Sequence, residues 1–163
     1  MSTSTFAISY TNTVTYVTTK MMLLLKEIIR EIGLDPSAMN WPVCEAGIST
    51  WLASRHLQQV TLEVYDPRTN GLVTKWDLDV VYDTIGEGTL WVDTAALRYA
   101  IIKEGVMPAT CSYDIIVSRK SGYQPVPGWG SATLRSTDGF RRYSIGATVG
   151  GNGLHAQTAY WRR

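Results

Sequence analysis

The 163-residue chain carries 15 basic and 14 acidic side chains, a net charge of +1, with 45% apolar and 18% charged residues. A chain of this length buries roughly 70% of its unfolded surface, and its apolar content excludes disorder of the whole chain. The near-neutral balance gives no global reason to expect a nucleic-acid or membrane-surface protein, and no apolar run, Met21–Leu25 included, is long enough to span a bilayer.

Residues 2–10 alternate, with Phe6, Ile8 and Tyr10 on one side, the pattern of a short strand or a mobile arm. Val14, Val17, Met21, Leu24, Leu25, Ile28 and Ile32 then recur at spacings of three and four, one apolar stripe of a long helix. Leu23 and Ile29 lie off that stripe, so the helix is expected to be central. Gly33 offers the left-handed position that ends it, and Pro36 forbids continuation. Trp41–Arg55 reads as a second helix, capped by Asn40, with Cys44, Ile48, Trp51 and Leu52 facing inward.

A hairpin follows. Val60, Leu62 and Val64 alternate with polar neighbours, and Asp66–Gly71 supplies turn residues, Pro67 and Asn70-Gly71 among them. Leu72–Tyr82 then runs back with Trp76, Leu78 and Val80 on one face. Asp93 caps a short third helix through Leu97, Ala100 and Ile101, stopped by Gly105, and Cys111–Ser118 is a further strand. Each element has one apolar face to bury, so the expected architecture is α+β, three helices packed on a small antiparallel sheet of three strands.

Composition changes near position 120. Residues 1–120 hold 10 basic and 13 acidic groups, a net of −3. Residues 121–163 hold five arginines, Asp138 and eight of the 14 glycines, a net of +4. Within them Ser131–Arg135, Phe140–Val149 and Leu154–Trp161 read as strands that either form a flap or wrap the core.

Four constellations invite chemistry. Asp77 and Asp79 share one face of a strand, with Asp114 on another, an arrangement able to hold a divalent metal for phosphoryl or nucleotidyl transfer. The Gly-Ser phosphate loop such an enzyme needs is missing, so a solvated polar face is the expectation. His56 and His155 lack nearby partners at nucleophile or zinc spacing. Cys44 and Cys111 fall on apolar periodicities and lie too far apart for a disulfide framework or metal spacing, pointing to inert thiols in a reduced cytoplasmic compartment. Arginines interleaved with Trp129, Phe140, Tyr143, Tyr160 and Trp161 can bind single-stranded nucleic acid, or pair within the protein against the acidic core. No catalytic residue, metal or cofactor is therefore assigned.

The segments Ser9-Tyr10-Thr11, Thr61-Leu62-Glu63-Val64-Tyr65, Trp76-Asp77-Leu78-Asp79-Val80-Val81-Tyr82, Ser136-Thr137-Asp138-Gly139 and Tyr160-Trp161-Arg162, with the first helix, resemble bacterial HORMA-domain proteins of cyclic-oligonucleotide anti-phage signalling (CBASS) operons. The resemblance spans essentially the whole chain. It implies a single domain, 1–163, whose core (1–120) carries a C-terminal safety belt (121–163). Such a belt closes around a closure-motif peptide donated by a foreign protein, a second HORMA protein of the operon or the transferase partner. The closed form then binds and activates a cGAS/DncV-like nucleotidyltransferase, and a HORMA-remodelling AAA+ ATPase resets it. On this reading Cys111–Ser118 is the edge strand, with Tyr113, Ile115 and Val117 beside the peptide and Trp129 as the belt's anchor. Tyr160, Trp161 and Arg162 latch the belt end, and Thr3, Ser4, Thr5 and Phe6 meet the ATPase. A nucleic-acid-binding module is the alternative from another class.

Overall fold

A computed structural model describes residues 9–83 and 89–163. Helix α1 spans Tyr10–Glu31, and its first turn is closed by Ser9, whose hydroxyl accepts from the Asn12 N–H at 3.0 Å. All seven stripe residues are buried, and so is Ile29, whereas Leu23 is 52% exposed, so α1 is covered around most but not all of its circumference. Its end is a Schellman motif: the N–H groups of Gly33 and Leu34 reach the carbonyls of Arg30 and Ile29, with Gly33 at φ +89°. Helix α2 spans Trp41–Ala53 and is capped by Asn40, which accepts from the Val43 N–H.

Strands β1 (Leu57–Asp66) and β2 (Gly71–Tyr82) form the expected hairpin, and Asn70 takes the left-handed turn position at φ +59°. The two-residue strand β3 (Trp91–Val92) leads to helix α3 (Ala95–Glu104), whose cap position is held by Thr94 rather than by Asp93 as expected; the Asp93 carboxylate, one residue earlier, accepts from the Ala95 N–H, and Gly105 ends the helix. Strand β4 (Ser112–Arg119) returns alongside β1. After the connection from Lys120 to Phe140, strands β5 (Arg141–Gly151) and β6 (Leu154–Arg162) make a second hairpin about Asn152-Gly153, the residue pair that two-residue turns favour.

The sheet is one antiparallel layer of six strands in the order β3-β5-β6-β2-β1-β4. It is therefore larger than the three strands expected. The C-terminal hairpin is no separate flap: β6 pairs with β2 from Lys75↔Trp161 to Tyr82↔Leu154, satisfying the backbone groups β2 would otherwise leave open. Ser131–Arg135, expected as a strand, joins no ladder. The Arg135 N–H donates instead to a Glu63 carboxylate oxygen at 2.9 Å.

Helices α1 and α2 pack on the sheet face carrying Val60, Leu62, Val64, Trp76 and Leu78, all fully buried. Among the described residues no helix is long and apolar enough to cross a membrane. Two tyrosines tie this layer together: the Tyr10 hydroxyl donates to the Leu52 carbonyl at 2.6 Å, and the Tyr82 hydroxyl to the Leu57 carbonyl at 2.7 Å. Burial pushes both phenols above the ordinary tyrosine range, against a smaller opposing pull from Arg55. A phenol whose pKa is raised by folding stabilises the protein fully below the unfolded value, and that stability is lost as pH rises beyond it. Thermal stability is thus expected to fall from about pH 10 upward. Tyr82→Phe, which has no proton to lose, should flatten the fall, and an unchanged alkaline limb would refute its origin.

Candidate functional site

Strand β4 is one of the two sheet edges, opposite the short β3, with a ladder partner on one side only among the described strands. One set of its backbone N–H and C=O groups is thereby left for an incoming strand. Tyr113, Ile115 and Val117 pair with Val64, Leu62 and Val60 and pack half-buried on the helix-covered face. The Tyr113 hydroxyl donates to the Asp35 carbonyl at 2.7 Å. Asp114 and Ile116, the alternate residues, face the other way, beside Glu63 and Thr61.

The connection after β4 passes around this free edge. It begins on the helix side, where the Trp51 indole N–H donates to the Gln124 carbonyl at 2.7 Å. Trp129 lies on α2: its indole N–H donates to the Val43 carbonyl at 2.9 Å, and its ring meets Trp51 edge-on at 5.2 Å. Two glycines make that seat. A Cβ at Gly47 would lie 2.8 Å from Trp129 Cζ2, and one at Gly128, which has φ +91°, would lie 2.6 Å from a Val43 methyl.

By Arg135 the chain is on the opposite face of the sheet. Its guanidinium bonds Glu63 at 2.9 Å and Asp114 at 3.2 Å, donates to the Asn70 side-chain oxygen, and stacks on the Tyr65 ring. The Glu63 side chain is completely buried. A connection of this length without regular structure exceeds the roughly 12–15 residues usual in compact domains, where longer ones are mostly functional.

Between the strap and β4 lies a cavity of about 360 Å³, lined by Met39, Val43 and Cys44 from the helix side, Asp114–Ile116 from β4, and Gly128–Ala132 from the strap. A second, of about 210 Å³, adjoins it toward Val117 and Arg119. A third, of about 430 Å³, continues toward Tyr113 and Cys111. The Cys44 thiol is pushed up to about 12, by burial first and by Glu45 second, so it stays protonated and unreactive. Cys111 is only half-buried, short of the fully buried position its periodicity suggested.

The outer face of the sheet is not the solvated surface expected for Asp77 and Asp79. Asp77 is 2% exposed. It accepts from the Thr61 hydroxyl at 3.0 Å and the Trp161 indole N–H at 2.8 Å, while Arg142 bonds Asp79 at 2.6 Å. The cause is the C-terminal hairpin, whose Trp161 and Arg142 cover these carboxylates and use their lone pairs. Asp114 is likewise committed to Arg135. His155 meets Asp83, and His56 meets Ser54.

Tyr160 stacks on Tyr143 at 5.3 Å and meets Trp76 at 5.1 Å with the rings tilted by 31°. The Trp161 carbonyl accepts from the Thr74 hydroxyl, and Arg162 bonds Glu104 on α3 at 3.1 Å. These three residues therefore join β6 to β2 and to α3. Arg135, Arg142 and Arg162 are all spent on carboxylates of the first 120 residues, which favours internal pairing over a nucleic-acid surface. Thr3, Ser4, Thr5 and Phe6 lie outside the described residues.

The sequence did not single out Glu63, Arg135 or Gly47, and none has a local signal beyond its residue type. Glu63 shares a strand face with Thr61, and the excess of arginine after residue 120 is the one feature that could have directed attention to it.

A family model described as bacterial HORMA domain 2 matches residues 1–163. Among solved structures, a chain of the mitotic checkpoint complex superposes with a TM-score of 0.75 at 9% identity, covering 92% of this chain and 98% of that one. C. elegans HTP-2, bound to the HIM-3 closure motif, superposes with a TM-score of 0.72 at 10% identity, covering 97% and 93%. A chain of the E. coli MS115-1 HORMA:CdnC:Trip13 complex gives 0.62 at 12% identity, covering 100% and 98%. At these identities the likeness is one of fold. No curated protein sequence matches the chain.

Proposed function

The chain belongs to the bacterial HORMA domain 2 family, and from that premise we propose that it is a peptide-binding signalling switch. Residues 121–163 act as a safety belt, and a closure-motif peptide adds to the free edge of β4 beneath residues 128–132. Tyr113, Ile115 and Val117 flank that peptide, Trp129 anchors the belt over it, and Tyr160, Trp161 and Arg162 hold the belt end to β2 and α3. The observation that carries this reading is the route of the chain from Trp129 on one face of the sheet to Arg135 on the other, with a lined cavity left between strap and edge.

Extended chain suits that space: its backbone continues the ladder, and alternate side chains fill pockets on the helix side. The C. elegans HTP-2 structure, with its closure motif, supports the peptide as ligand. The E. coli assembly, in which a HORMA protein is joined with CdnC and Trip13, supports the remaining partners. The peptide-loaded form would bind and activate a cGAS/DncV-like nucleotidyltransferase in CBASS defence in the cytoplasm. An AAA+ ATPase engaging the N-terminal residues Thr3–Phe6 would reset it. The protein itself acts by binding rather than catalysis.

Belt opening is the step a peptide must suppress. At a peptide concentration 100 times its Kd, cleavage between Lys120 and Phe140 through the opened form is expected to slow about 100-fold. The measurement is limited trypsin digestion with and without a peptide selected by display. Equal cleavage in both sinks the belt assignment.

A further inference from the structure

Arg119 closes β4 and lines the cavity of about 210 Å³, which shares Trp129–Ala132 with the cavity of about 360 Å³. Its guanidinium lies 4.4 Å from the Trp51 ring centre and 3.7 Å from that of Tyr123. Among the described residues no carboxylate comes within 4.0 Å of it. The contrast with Arg135, Arg142 and Arg162 is direct, since each of those meets at least one acid. The other charged group lining these two cavities, Asp114, shares Arg135 with Glu63 and faces the opposite side of the sheet from Arg119.

A guanidinium packed against two rings keeps its N–H edge, a planar fork whose natural acceptor is a carboxylate. The rings also fix the side chain in advance, so little freedom is lost when the acceptor arrives. Trp51 belongs to α2, so Arg119 sits on the same side of the sheet as the 360 Å³ cavity, which Val43 and Cys44 line. Side chains on one side of an added strand come from every second residue.

Resting on the peptide-binding reading above, we propose that the strand this groove takes is acidic at the Arg119 end. One carboxylate of the peptide pairs with Arg119. A bulky apolar side chain on the same face, separated from it by an odd number of residues, fills the cavity between Ile115, Val43 and Trp129. The carboxylate is either an Asp or Glu side chain or a peptide C-terminus.

The full-length protein is to be panned against two random peptide libraries, one displayed with both ends blocked and one with a free C-terminus. Enrichment of Asp or Glu at fixed parity from an apolar residue in the blocked library is expected if the source is a side chain. Enrichment confined to the free-ended library assigns the C-terminal carboxylate. A selected peptide is then compared with its amide counterpart, Asp to Asn, Glu to Gln or C-terminal amide, on the wild type, Arg119→Gln and Arg119→Lys. Amidation is expected to weaken wild-type binding at least about tenfold, to change little on Arg119→Gln, and to matter again on Arg119→Lys. The wild-type comparison needs no folded variant. Selected peptides without an acidic position, or an amidation loss equal on wild type and Arg119→Gln, overturn the Arg119 assignment while leaving peptide binding intact. Failure of both libraries to enrich any peptide overturns the peptide-binding reading itself, and this inference with it.

Discussion

Replacing Arg135 with alanine is expected to destabilise the closed strap by about 3–5 kcal/mol, the cost of leaving a buried carboxylate without its partner. Glu63 loses two contacts at once in this variant, because the guanidinium is gone and the backbone N–H is no longer held over it. Asp114 and Asn70 lose theirs as well. The protein has a cheaper response than global unfolding. Glu63 is dry because the strap covers it, so lifting the strap rehydrates the acid and caps the loss. Arg135→Ala should therefore show fast hydrogen exchange and fast cleavage across residues 120–140 while α1, β1 and β2 stay protected. The double variant Glu63→Leu/Arg135→Leu removes the stranded charge and is expected to recover much of the difference, as buried ion pairs replaced by apolar residues often do. Uniform loss of protection throughout the chain would show that the pair holds the core together rather than the strap.

Gly47→Val is expected to weaken binding of a display-selected peptide about 5- to 150-fold, the equivalent of an overpacking cost of about 1–3 kcal/mol. Glycine in the middle of a helix normally costs about 1 kcal/mol relative to alanine, so retaining one in α2 needs a reason. That reason is the Trp129 indole, which occupies the space of the missing side chain and is a rigid ring unable to fold aside. The substitution acts on the form with Trp129 seated. With the strap released, the added methyl groups meet no indole, and helix propensity no longer opposes the change. Helical content by circular dichroism should thus hold while fluorescence polarisation reports the loss of affinity. An affinity equal to wild type would remove Trp129's seat from the binding mechanism.

Much of the fold was legible in local pattern. The α1 stripe, its glycine stop, the cap at Asn40 and the β1–β2 hairpin are written in residues close together in the chain, where spacing alone decides which face is buried. The edge position of β4 was legible too, because the chain leaves it through Ser121-Gly122 without a tight return. Pairing of β6 with β2 is a different matter: it joins segments about half the chain apart, and nothing in either strand specifies its partner. The same holds for Asp77, which alternates as a solvent-facing residue would and is buried only because Trp161 arrives from the far end. Glu63 and Gly47 are explained by Arg135 and Trp129, residues that pattern reading treats separately. Ala132 and Leu134 alternate like a strand, yet the strap they belong to stands off from the sheet edge, leaving space where a ladder would otherwise form.

That standing off bears on growth. A bare edge of Tyr113, Ile115, Ile116 and Val117 is the kind of surface on which sheets recruit further sheets, and β-rich proteins ordinarily blunt such edges with charge, proline or bulges. Here the strand keeps a run of three apolar residues, Ile115–Val117, between Asp114 and Arg119, and further blunting is done at a distance. A first strand that enters finds the ladder; a second would find the strap, pinned by Trp129 on one face and Arg135 on the other. Under the proposed peptide-binding reading, the edge therefore counts to one: propagation would be cut off after a single addition, and the protein would keep an adhesive edge without seeding fibres.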